Sequence, residues 1–395
     1  MPPFPIFREL RRTEDTECVS VGMTRAFTVV DLVAGMAILG TLAAVATPML
    51  GSGMHRSGMM VSANNLRRLG QGHAAYEASW NGQQHTTMVS EMGHYSGSST
   101  CWAFLQNHCP PPPVVLGTDG AGSTWGYFWN GSGGVPGCTA YPGQANFCGS
   151  TQGKYKATAL PLAVGGTSGT FSGVPDQDGN YYLPNMRGVR EYVCDRFFDP
   201  VYYSPNDLVA YPRVSAAFES AHEMADINLL VSAQTSSSYC NSAAAIWNPC
   251  VFRAPSQGGF QAPGTCLDAY RTPPASHATY PTLKTRMMEW RMCQGPRGAV
   301  SPALSGEVMD FFNAHPGSRP GAVFFDCHVS FTAMADYAAD DAQLLQQTGS
   351  DGLWCRDSGL GSNGYRGQAA QSGFRASPHF LTTGGIAGRD LLHAR

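Results

Sequence analysis

At 395 residues, with 13% of them charged and a formal net charge of −3, the chain has room for one large domain with appendages. No run of Lys and Arg could neutralise a line of phosphates, which leaves nucleic-acid binding close to excluded. Plentiful Gly (46) and Pro (27), with 11% aromatic residues, describe a β-rich body carried on many turns, because Gly and Pro punctuate elements and aromatic rings suit pleated faces.

Residues 1–26 are polar and mixed in charge, with Arg8, Arg11, Arg12 and Arg25 against Glu9, Glu14, Asp15 and Glu17. Polarity then stops abruptly. No side chain from 32 to 50 ionises, and as a helix that run would span roughly 28 Å, about a bilayer core. Small residues recur through it (Ala34, Gly35, Ala37, Gly40, Ala43, Ala44, Ala46), as expected where helices approach closely in lipid. Arg25 favours a cytoplasmic N-terminus. A cleaved signal peptide ending near Ala44-Val45-Ala46, an ordinary signal anchor and a buried helix all compete for this segment. Asp31 tips the balance, since a carboxylate at the head of a spanning helix is expensive and usually marks a partner.

The run Ala26-Phe27-Thr28-Val29-Val30-Asp31-Leu32, continuing without a gap to Pro48, resembles the prepilin cleavage and methylation segment of type IV pilins and type II secretion pseudopilins. The resemblance implies cleavage between Ala26 and Phe27 by a prepilin peptidase, which also methylates the new N-terminus. It gives Asp31 the role of pairing with a neighbouring subunit's amine. An ammonium and a carboxylate attract strongly in low dielectric, and each is costly alone. The family usually carries Gly and Glu where this chain has Ala26 and Asp31. Met23 is a second possible start, leaving a leader of Met23-Thr24-Arg25-Ala26. The implied partners are the peptidase, other pilin-like subunits, an inner-membrane assembly platform and lipid. The implied location is a single-pass inner-membrane protein with the head periplasmic or extracellular.

Gly51-Ser52-Gly53, after Pro48, is a weak point in any helix. Helical spacing resumes with Met59, Ala63, Leu66, Leu69, His73, Tyr76 and Trp80, a face for packing on a head. Within it, Asn64-Asn65-Leu66-Arg67-Arg68-Leu69-Gly70 is similar to a segment of a large-headed prepilin-like group. That group also carries an H-x-G followed by a strand ending in D-G-[HS]-V. Here His315-Pro316-Gly317 precedes Asp326-Cys327-His328-Val329, with Cys327 in the Gly position. The tight turn must then be made without glycine's freedom.

Strands are expected at 125–129, 155–164, 181–183, 201–203 and 322–331, bounded by turn residues. Short helices are expected at 216–225 and 333–347. Pro110-Pro111-Pro112-Pro113 reads as a stiff spacer. The fold class is α+β: a long N-terminal transmembrane helix packed on an antiparallel β-sheet head with long loops. The divisions are a leader at 1–26, an assembly helix at 27–50, its amphipathic continuation at 51–84, a head at 85–358 and a Gly/Ser-rich tail at 359–395, of which 380–392 could dock.

Of the 12 cysteines only Cys18 precedes residue 100, and none forms a C-x-x-C pair. Cys101/Cys109 and Cys138/Cys148 read as loop staples in an oxidising space, with buried thiols as the competitor. Catalytic motifs are lacking, and the chain reads as no enzyme. Two weaker constellations remain. His315 and His328 flank a hairpin around Asp326, where structural hydrogen bonding outweighs a metal site. Asp176-Gln177-Asp178-Gly179-Asn180 has oxygens at calcium-loop spacing, but Arg187 stands where an EF-hand needs Glu. Calcium is thus the one cofactor entertained, through Asp176, Asp178 and Asn180. The competing class is an anchored envelope protein whose head binds or processes a ligand.

Overall fold

The computed structural model describes residues 29–86, 113–118, 124–129, 155–160, 184–207, 210–219, 237–261, 266, 268–269, 271–289, 318–356 and 378–394. The side chains of Asp31, of 45–52, 54 and 55, and of the strands between 113 and 160 lie outside that description. Two compact units divide the chain, Met1–Met54 and His55–Arg395.

One helix, α1 (Val29–Ser79), runs through the division. Its backbone stays helical across Pro48 and Gly51-Ser52-Gly53, so the expected weak point does not end it. In the first unit its apolar residues are exposed on every side: Val29 at 76%, Met36 at 65% and Leu42 at 61%, for example. Among the described residues no transmembrane span is found: no helix there is long and apolar enough to cross a membrane. After Asp31 the described side chains without a charge run from 32 to 44, roughly 20 Å of helix against a core of about 30 Å.

The second unit is an α+β body. Strands β4 (Tyr239–Asn241), β5 (Thr285–Glu289), β6 (Gly321–Phe324) and β7 (Val329–Phe331) form an antiparallel sheet in that order. Every residue of β4, β5 and β6 is buried, which requires cover on both faces. The second half of α1 supplies one cover, with Leu66 and Leu69 fully buried in the core. A register shift between Thr285 and Met287 in β5 marks a bulge, which re-aims side chains. Arg286 and Glu289 consequently both meet α1, while Lys284 meets the C-terminal segment.

That segment docks, which the sequence left open for residues 380–392. Phe380, Leu381, Ile386, Leu391 and Leu392 are buried, and Lys284 Nζ reaches Asp390 Oδ2 at 3.2 Å. Helix α3 (Met334–Thr348) follows β7 and ends at Gly349 with φ 78°, a left-handed C-cap that glycine adopts freely. Asp341 on α3 accepts from the Leu353 amide at 2.8 Å and Asp340 from the Leu392 amide at 2.8 Å. Cys250 and Cys266 lie at disulfide distance, with Cα atoms 6.5 Å apart. The expected staples at Cys101/Cys109 and Cys138/Cys148 lie outside the described residues.

Several local expectations are corrected. Residues 201–203 form no strand: Pro200–Tyr202 is a 3-10 turn, begun by proline and capped by Asp199, which accepts from the Val201 amide. Helix α2 (Ala210–Phe218) covers the first part of the helix expected at 216–225, begins at Ala210, whose amide donates to the Asp207 carboxylate, and leaves 220–225 outside the described residues. Strands β1 (Pro113–Thr118), β2 (Thr124–Trp129) and β3 (Tyr155–Leu160) form a second sheet. It is mixed, β2 and β3 running parallel, so the head is not purely antiparallel. Residues 181–183 lie outside the description.

Candidate functional site

The polar seam between α1 and the sheet is the best-built constellation among the described residues. The buried face of α1 follows Gly58, Ser62, Asn65, Leu66, Leu69, His73 and Glu77, at the spacing of one helical side. The expected stripe is thus rotated: Trp80 is 56% exposed, while Ser62, Asn65 and Glu77 are inside. Ser62, Asn65 and Glu77 each find a partner, as burial demands.

Asn65 Nδ2 donates to the carbonyls of Pro200 and Tyr203, both at 3.1 Å, tying α1 to the 3-10 turn. Glu77 holds Arg286 through two bonds, one at 3.0 Å. The guanidinium also lies 4.3 Å from the Phe325 ring centroid, the geometry of a cation over an aromatic face. Ser62 donates to Glu289 Oε1 and sits 2.9 Å from the Tyr239 hydroxyl. The Gly321 amide donates to Glu289 Oε2 at 2.6 Å. Burial is the main cause that pushes Glu289 up to about 7, with Ser62, Gly321 and Ser204 opposing and Asp207 assisting. His73 is held well below its ordinary value by burial first, then by Arg286 and His85, and its Nε2 has no hydrogen-bond partner.

Gly70 of the first signature segment meets the hairpin that carries Asp326, Cys327 and His328 at this seam. A Cβ on Gly70 would fall 2.9 Å from Val323 Cγ2 and 3.6 Å from Cys327 Sγ, so glycine permits the close approach of helix and hairpin. The β6–β7 hairpin turns through Phe325, Asp326 and Cys327, closed by Cys327 N to Phe324 O at 2.9 Å. Cys327 takes φ 68°, so the left-handed position is occupied by a residue other than glycine after all. Asp326 Oδ1 binds His328 Nδ1 at 2.6 Å, and the His328 ring stacks on Phe324 with centroids 4.3 Å apart. That is local hairpin bonding, and the described residues contain no metal-holding group of three His, Cys, Asp or Glu. Asn64 is exposed. Asp31 and Pro48 lie on the α1 backbone, their side chains outside the description. Ala26, Phe27, Asp176, Asp178, Asn180, His315 and Gly317 lie outside the described residues altogether.

A second polar cluster sits on the other side of β5. Lys284 Nζ meets Ser242 Oγ at 3.0 Å and Thr382 Oγ1 at 2.6 Å besides Asp390, and Cys240 Sγ lies 3.3 Å from His379 Nε2. A Ser–Lys pair can serve nucleophilic catalysis. Here Ser242, Lys284, His379, Thr382 and Asp390 are all wholly buried, Ser242 donates to the His379 carbonyl, and Asp390 holds the ammonium. The cluster fastens the C-terminal segment. Sequence reasoning missed both clusters. Their signal was Lys284, Arg286 and Glu289 set around the Met287-Met288 pair, charges that only buried partners make tolerable inside a core.

No protein-family model matches this chain, and no curated protein or solved structure matches it either.

Proposed function

We propose that this chain is a prepilin-like subunit, cut before Phe27 by a prepilin peptidase and assembled through α1 into a type IV pilus or type II secretion pseudopilus. The observation that carries the reading is the divided character of α1. Its first part is apolar on every side and exposed, which is unstable in water without lipid or neighbouring helices to cover it. Its second part is a firmly held element of an α+β body. In this reading Asp31 meets the N-terminal amine of a neighbouring subunit, residues 27–50 lie in the inner membrane, and the head carries no catalytic role.

Mass spectrometry of the mature chain tests the processing step: an N-methylated Phe27 is expected, and an intact leader or a cut after Ala46 overturns the reading. Asp31→Ala should leave membrane insertion intact and reduce recovery in sheared filaments about tenfold, the loss of roughly 1.4 kcal/mol per contact. Unchanged recovery would favour an anchored protein whose helix is only a tether.

A further inference from the structure

We propose that Cys250 and Cys266 form a redox clasp: joined as a disulfide they hold the near end of the C-terminal segment on the head, and reduced they release it. Both residues are half-buried, so an exchange partner can reach them. They close a loop that other bonds shape as well. The Asn248 amide donates to the Ala269 carbonyl at 3.1 Å, and the Gln261 amide to the Val251 carbonyl at 2.9 Å. Phe252 bridges to Phe260, their ring centroids 5.9 Å apart.

The C-terminal segment meets this loop at its near end. The Gly384 amide donates to the Phe252 carbonyl at 2.6 Å. A Cβ on Gly385 would fall 3.1 Å from Pro249 Cα, so the segment's backbone lies against the residue before Cys250. Cys355 joins the two: its thiol donates to the Arg253 carbonyl at 3.2 Å, and its amide to the Leu381 carbonyl at 2.6 Å. The far end has other anchors. The Asp390 amide donates to the Leu283 carbonyl at 2.9 Å and its carboxylate takes the Lys284 ammonium, while the Leu392 amide reaches Asp340. Positions 381–385 therefore depend on the shape of the loop, and 390–392 on residues beside β5 and on α3.

The chemistry is thiol–disulfide exchange. Two thiols give up two protons and two electrons to the disulfide of an exchange partner, which leaves as a dithiol; a dithiol reverses the step. Joining residues 16 apart in sequence removes open conformations of the loop and favours its ordered form on the order of a hundredfold. The carbonyls of Phe252 and Arg253 are thereby fixed where Gly384 and Cys355 need them. Under the export proposed above, the near end of the segment is free in a reducing compartment and fastened in an oxidising one. The clasp itself does not rest on that reading.

Hydrogen exchange on the full chain in detergent, at one pH, with and without a small dithiol reductant, tests this. Amides of Thr383 and Gly384 should open about tenfold more often after reduction, those of Asp390 and Leu392 less than about twofold, with β6 as the internal reference. The double variant Cys250→Ser, Cys266→Ser should show the reduced pattern without reductant and respond no further to it. An equal rise across 381–392 and β6 would mean that the bond stabilises the whole body, and it overturns the clasp. So does a double variant that still responds, since other cysteines would then carry the effect. Should that variant not fold, graded reduction of the wild type decides: opening at Gly384 should track the alkylated fraction of Cys250 and Cys266. Opening that rises without that alkylation, or alkylation without opening, overturns the proposal.

Discussion

Cys327 is the residue on which the signature and the structure pull apart. The sequence marks a tight turn after Asp326 that must be made without glycine's freedom. In the structure the turn keeps φ 68° at Cys327, because the three-residue hairpin fixes that conformation whatever residue occupies it. A side chain there costs roughly 1–2 kcal/mol. Cys327→Gly should therefore raise stability by about 1 kcal/mol, seen as a higher urea midpoint, whereas Cys327→Ala should give no gain. Gly70→Ala should do the reverse. Its new methyl meets buried Val323, and overpacking of this kind costs about 1–3 kcal/mol. The two changes address different contacts, so Cys327→Gly should not rescue Gly70→Ala. Rescue in urea melts would mean that the sulfur, not Val323, sets the close approach.

At the scale of elements, what the sequence made legible was apolar periodicity, and what it hid was polar burial. α1, α3 and the hairpin strands were visible because Leu66, Leu69 and the run Ala322-Val323-Phe324 repeat at helix and strand spacings. The true packing face of α1 was not visible, since Ser62, Asn65 and Glu77 look like solvent residues until their partners are known. Those partners come from residues far along the chain, such as Arg286 and Glu289. Glu77→Ala should cost about 3–5 kcal/mol, because it leaves the Arg286 guanidinium buried without its counter-ion; equilibrium denaturation measures it. The segment after α1 also carries an acid-sensitive group. His85 packs edge-on to Tyr76 with centroids 5.3 Å apart, and burial lowers it to about 4 from 6.5. The unfolded chain takes up that proton first as pH falls, so the stability it contributes is complete above about 6.5 and lost through about 4. His85→Phe keeps a ring against Tyr76 and should flatten the decline in melting temperature between pH 6.5 and pH 4. An unchanged slope would assign the acid limb to His73 or His379, both also lowered by burial.

For the whole molecule, the decisive question is which parts of α1 belong to which unit. The sequence placed a change of character near Pro48 and Gly51-Ser52-Gly53; the units divide at Met54 and His55, while the helix continues. Composition could show where apolar covering ends but not where packing begins, since packing depends on the sheet's polar partners. A chain starting at His55 keeps every seam contact described above and should unfold cooperatively without detergent, with a melting temperature close to that of the full chain. A chain starting at Trp80 loses Leu66 and Leu69, worth about 1.5–3 kcal/mol each. It also strands Arg286, a further cost of about 3–5 kcal/mol. Together these approach the 5–15 kcal/mol by which domains of ordinary stability are folded. The shorter chain should therefore show no cooperative melt and no near-ultraviolet dichroism. If it melts like the longer one, residues 55–79 are an accessory to the sheet and not part of its core.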